Sequence, residues 1–208
     1  MAKGNGQGFA AREPAAVRER ARLTEQAPLP FLAALGGLAG CAISTVGLLI
    51  GHRVRLPRGN VGLRLGFADG TTGWVYRETV VDRAAADPCV LVVGFRLRLV
   101  RGWGHTVFRW ESVLNTPLFV GFPGFVSKFW LTHDRHGVYR GLYEWDGPGR
   151  ADYYARCLWW VLALVCPRGS IHYRVLPGLR RDQLLKEPRV QGDEPGSLAA
   201  WWRLVDAA

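Results

Sequence analysis

The chain of 208 residues is poor in the residue patterns that carry most recognisable chemistry. Its four cysteines (Cys41, Cys89, Cys157 and Cys166) form no CxxC pair and follow no metal-ligand spacing. They read as small buried hydrophobes in a reducing, cytoplasmic setting rather than as a disulfide framework or zinc site. His133 and His136 stand three apart in a predicted turn, not four apart on a helix, and no third ligand lies near, so no metal ligand is assigned. No GxSxG elbow, Walker loop or GxGxxG fingerprint is present. Acidic residues are also scarce, 17 against 27 Lys and Arg, for a formal charge of +10. Such a balance suits an acidic ligand, an anionic membrane or a nucleic acid, or simply a soluble basic surface.

What is present divides into five segments. Residues 1–29 are polar, with a charged stretch ended by Pro28 and Pro30. Residues 30–52 contain an apolar helix: positions 31–51 carry no charge, which meets the length of a membrane span. Gly36 with Gly40, and Gly47 with Gly51, are small-xxx-small pairs, and Arg53, Arg55 and Arg58 follow directly. A membrane contact and a soluble helix packed on the domain are both consistent with this stretch. Residues 53–88 read as a β-hairpin extension and linker. Strands at 63–67 and 72–81 flank Asp69-Gly70, which suggests a type I′ turn.

Residues 89–176 carry the most organised pattern. An apolar strand at 89–100 precedes a short helix at 104–114. Two strands at 127–132 and 138–145 then flank a polar turn ending in Gly137, and a helix at 151–166 leads to a last strand at 170–176. The order β-α-β-β-α-β predicts an α+β, ferredoxin-like split βαβ domain. Residues 177–208 form a polar tail that ends near Trp201-Trp202, a pair expected to dock on apolar surface rather than stay in water.

Strand alternation sorts the side chains into two faces. Leu91, Val93, Phe95, Leu97, Phe129, Leu131, Ile171, Tyr173 and Val175 are predicted to receive the helices, with Tyr154, Cys157, Leu158, Val161, Leu164 and Val165 presented by the second helix. The other face is predicted to hold Arg96, Arg98, Lys128, Trp130, Arg140, Glu144, His172 and Arg174. Unpaired buried charge is costly, so such a face must be solvated, paired or lining a pocket. Read as a pocket, it offers Arg96, Arg98, Lys128, Arg140 and Arg174 to an anionic aromatic ligand, and Trp130 as a stacking surface. His172 is the proton-handling candidate, and Glu144 is expected to pair with Arg140. Read as an interface, the same face is a salt-bridged dimer surface centred on Glu144.

Pro123-Gly124-Phe125, Lys128, Trp130, Gly137-x-Tyr139, Asp146 and the Tyr-bearing helix after it resemble the antibiotic-biosynthesis-monooxygenase-like proteins of the dimeric α/β-barrel superfamily. That resemblance, over residues 89–176, implies a homodimer with facing sheets. It also implies an enclosed pocket and oxidation or cyclisation of an aromatic, polyketide-like molecule without metal, flavin or other cofactor. With the basic face lining that pocket, His172, Trp130 and Glu144 are the catalytic candidates. The haem-degrading branch needs an Asn on the first strand, and Asn5, Asn60 and Asn115 do not lie there. A non-catalytic ligand-binding or dimerisation module, tethered to membrane or not, is the alternative. RNA-recognition domains share the βαββαβ order, but their stacking aromatics would fall at Leu142 and Glu144, which argues against nucleic acid.

Overall fold

The computed structural model describes residues 28–98, 118–188 and 201–208. It is an α+β chain built on one curled antiparallel sheet, with strands β1 (Val54–Arg55), β2 (Arg64–Phe67), β3 (Thr72–Val81), β4 (Pro88–Arg96), β5 (Phe125–Leu131), β6 (Val138–Asp146), β7 (His172–Pro177) and β8 (Leu204–Ala207). Helices α1 (Phe31–Ile50), α2 (Pro148–Val165) and α3 (Arg181–Lys186), with a short 3-10 turn at Arg168–Ser170, complete the described elements. The helix expected at 104–114 lies outside the described residues. The sheet runs β7-β4-β6-β5-β3-β2-β8, with β1 pairing separately on β3. The hairpin extension and the α/β region therefore share one sheet, because β3 pairs with β5. The C-terminal segment returns to close its far edge as β8 on β2.

β4 lies between β6 and β7, and its apolar run is buried on both faces, which is why it reads as nearly continuous hydrophobics. One face meets α1 and α2 in a core of Leu91, Val93, Tyr139, Tyr143, Trp145, Tyr154, Leu158 and their neighbours. The opposite face is covered by the chain itself. Leu65, Phe67, Leu184, Trp202 and Leu204 close over Val90, Val92, Phe129, Leu142 and Leu176. The Trp201-Trp202 pair thus docks on the sheet, with Trp201 so close over Gly94 that a Cβ there would meet its indole at 2.9 Å.

Two expectations about local geometry change. Asp69-Gly70 is not a type I′ turn. Gly70 has φ of 73°, but His52 is the one non-glycine at positive φ among the described residues. Asp69 closes the turn with its carboxylate instead, accepting the Thr71 backbone N–H at 2.9 Å and hydroxyl at 2.6 Å. On α2, Leu162 rather than Leu164 continues the buried stripe, and Leu164 and Val165 face outward.

α1 rests on the domain along a narrow stripe of Ala34, Cys41 and Thr45. Gly37 fits beneath Tyr153 and Cys157 of α2, and Gly121 sits against the Cys41 carbonyl and Thr45, leaving no room for a Cβ. Trp160 Nε1 donates to the Leu29 carbonyl at 2.7 Å, and the Trp160 ring meets Phe31 edge-on at 5.5 Å. The two helices are therefore antiparallel, with the start of α1 beside the end of α2. Gly121→Ala is expected to lower stability by ~1–3 kcal/mol, since backbone rather than a flexible side chain blocks the new methyl. Urea denaturation followed by tryptophan fluorescence measures it, and an unchanged midpoint would show that α1 does not depend on this contact.

Candidate functional site

A β-bulge in β5 decides which residues stand together. Phe125 pairs with Trp145, but the next registered pair is Ser127 with Glu144, so Val126 is the extra residue. From that point the alternation of β5 is inverted relative to a regular strand. Lys128 and Trp130 face α1 and α2, opposite Tyr143 and Gly141, while Phe129 and Leu131 turn to the face covered by α3 and Trp202. This reverses the face expected for all four residues. It also separates Lys128 and Trp130 from Arg140, Glu144, His172 and Arg174.

The helix-facing cluster is the most unusual chemical environment in the described chain. Lys128 is 5% exposed, and its Nζ lies 3.0 Å from the Trp130 ring centroid, 4.4 Å from Phe119 and 4.7 Å from Tyr143. Among the described residues no carboxylate pairs with it. Burial, reinforced by the nearby Arg77 guanidinium, holds the Lys128 amine well below its ordinary pKa. The ring faces compensate a cation in part, while burial shifts the balance toward the neutral amine. Trp130 is fixed by its Nε1–H donating to Thr79 Oγ1 at 3.3 Å, and Arg77 lies over its ring at 5.2 Å. Behind them, Tyr154 donates to the Tyr143 hydroxyl at 3.2 Å, and burial raises both phenols.

The remaining predicted residues are placed elsewhere. Arg140 is buried, but its partners are Asp134 at 2.7 Å, Asp69 at 2.9 Å and the Trp201 carbonyl at 2.9 Å, not Glu144. Burial alone would raise the Asp134 carboxyl. The hydrogen bond and charge of Arg140, with the backbone N–H groups of Val138 and His136, outweigh it and hold Asp134 below the usual carboxylate range. Glu144 is raised by burial, against the opposing charge of Arg181 and Arg180, and lies 3.5 Å from Arg180. Arg174 lies over Trp202 at 5.2 Å, and His172 is exposed beside Trp201. Arg96 and Arg98 are exposed, with Arg98 donating to the Cys166 carbonyl at 3.2 Å. Leu142 and Glu144 lie on the face covered by Trp202 and α3, not on an open sheet.

The sequence reading missed Phe119, Thr79, Arg77 and Tyr143 as neighbours of Lys128. It also missed the buried pair Arg181–Glu78 at 2.8 Å, where Ser127 Oγ and Asn60 supply further hydrogen bonds. A lysine inside an otherwise aromatic strand was the available signal. Among the described residues no group of three His, Cys, Asp or Glu is placed to hold a metal. No protein family, curated protein or solved structure matches this chain.

Because the folded pKa of Lys128 is depressed, the folded state binds fewer protons than the unfolded chain below the ordinary lysine range. Stability conferred by an uncharged residue 128 is therefore retained as pH falls, whereas the native protein loses it. Lys128→Met is expected to gain stability relative to the native chain as pH is lowered from about 10.5. Urea titrations across pH 6–10 measure the difference. A difference independent of pH would mean that Lys128 titrates normally in the fold. In contrast, Arg181→Met strands the buried Glu78 carboxylate and is expected to cost roughly 3–5 kcal/mol, as measured by the same titrations.

Proposed function

We propose that this chain handles a small, acidic aromatic or polyketide-like molecule between its sheet and helices, as a cofactor-independent monooxygenase or cyclase of the dimeric α/β-barrel type. The carrying observation is the buried Lys128 amine on the face of Trp130, held toward its neutral form by its surroundings. A neutral, desolvated amine is a base suited to removing a proton from a phenol or an activated carbon. The ammonium so formed is stabilised by the indole and phenyl faces around it. The antiparallel order β7-β4-β6-β5 supports the reading, since two interleaved split βαβ units generate it. On this reading β2, β8 and α3 of the same chain occupy the sheet face that a partner sheet would cover, and a homodimer would use another surface.

In the proposed reaction Lys128 takes the proton, and the substrate carbanion passes its electrons to dioxygen. At a methylene between aromatic rings, two C–H bonds are replaced by a C=O. One oxygen atom stays in the carbonyl and the other leaves as water with the two hydrogens. Dioxygen is the only co-reactant, and Trp130 and Tyr143 orient the ring. A purely binding role is the second reading. It is favoured by the placement of His172 and Glu144, two of the three residues expected to be catalytic, away from Lys128.

The test is binding and oxygen uptake with a hydroxyanthrone. Trp130→Phe is expected to weaken binding by about 1 kcal/mol, read by fluorescence quenching. Lys128→Met is expected to lower oxygen uptake by about a hundredfold or more while binding persists. Binding without uptake in the native chain assigns it to the binding class, and absence of binding overturns the proposal.

A further inference from the structure

Among the described residues, α1 is covered on one stripe only. Phe31, Leu32, Leu35, Ile43, Val46, Leu49 and Ile50 all stand out from the domain, Leu32 at 78% and Ile43 at 75% exposure. The end of α2 adds to the same surface. Leu164 is 80% exposed and Val165 is exposed, and half-buried Trp160 lies beside the start of α1 with half-buried Trp159 edge-on to it at 5.3 Å. An apolar surface of this kind on a helix without a single charge marks a contact with something apolar. Its rim is basic. Arg53, Arg55 and Arg58 follow α1 and are exposed, with Arg55 shared by Asp82 at 2.8 Å. At the other end Arg168 lies 5.9 Å over the Trp159 ring, near Arg98 on the Cys166 carbonyl.

We infer that α1 and the last turns of α2 form one docking surface that lies in the plane of an anionic lipid bilayer, rather than a span across it. Three features carry this. First, Gly37 beneath Tyr153 and Cys157 ties the first half of α1 to α2, and Cys41 and Thr45 against Gly121 tie its second half to the segment before β5. The first half of α2 carries Arg150, Asp152 and Arg156, with Asp152 accepting from the Tyr173 hydroxyl at 2.9 Å. Moving α1 across hydrocarbon would either strip it from the domain or drag those charges with it. Second, the surface joins outward aliphatic groups to tryptophans at one end and arginines at both, side chains that settle at the headgroup level of a bilayer. Third, the basic rim selects the occupant. A second copy docking through the same patch, parallel or antiparallel, would bring arginines against arginines, whereas anionic headgroups neutralise them. The inference does not depend on the chemistry assigned to Lys128.

The test uses the full chain with an N-terminal epitope tag. It measures flotation with vesicles of phosphatidylcholine alone or mixed with phosphatidylglycerol, followed by protease added outside. The expected result is flotation with the anionic vesicles, full cleavage of the tag, and loss of most bound protein on Ile43→Glu or Leu164→Glu. Both sites are exposed, so the fold should survive, and an unchanged urea midpoint would verify that. Arg58→Gln is expected to weaken binding about fivefold on anionic vesicles only. A tag protected from protease would show a span and overturn the in-plane arrangement. Absence of flotation overturns the lipid assignment, whether light scattering then shows a monomer or a dimer that Ile43→Glu dissociates.

Discussion

Both faces of a single sheet are buried by a single chain, and each charge the inner strands carry has to be compensated inside the protein. That constraint organises the polar interior. Arg140 is held by two carboxylates whose positions are set by their own turns. Asp69 closes the β2–β3 turn, and Asp134 accepts the backbone N–H groups of His136 and Val138 in the β5–β6 turn. Glu78 meets Arg181 on α3, which also stacks on Phe129 at 4.1 Å. These pairs do not guarantee net stability, because desolvation offsets much of their attraction. They do fix where α3 and the C-terminal segment must lie, since removing either partner strands a buried charge. Lys128 follows a different rule: aromatic rings surround it, and the balance shifts toward the uncharged amine.

Much of the architecture could be read in the residues. The strands at 89–96, 127–131 and 138–145, the helix after Pro148 and the last strand are legible because periodicity and turn chemistry agree there. The uncharged helix is legible from its length alone, with no charge over positions 31–51. The positions of β2 and β3 followed from their flanking turn, although Asp69 reached it by a side-chain hydrogen bond and not by a left-handed backbone. What could not be read was long-range pairing: that β3 would join β5, that β8 would return to β2, and that Trp202 and Leu184 would cover the second face. Those contacts depend on residues far apart in the chain, and local pattern carries no information about them.

The candidate site was legible in composition and not in arrangement. Lys128 and Trp130 stood out as unusual in an apolar strand, but both sets of alternating residues in β5 contain large apolar groups. With both faces buried, alternation alone cannot say which set meets the helices. Arg140 and Glu144 do share a face, as their spacing requires. Their partners come from turns and from α3, so the pairing expected between them is absent. His172 lies near a strand end, where exposure next to Trp201 replaces the enclosed position expected for it.

The extra residue at Val126 acts as a phase setting for β5. Downstream of it, two interleaved linings are encoded in the four consecutive positions 128–131: an amine with an indole, and a phenyl with an isobutyl group. Which lining the helices see is decided by the count of residues before them and not by any of their identities. Loss or gain of one codon at this point would exchange the two linings wholesale, without altering a single lining side chain. The interior chemistry of this sheet is thus open to change by the shortest in-frame event available to a gene, in one step where point substitution would have to replace each lining residue separately.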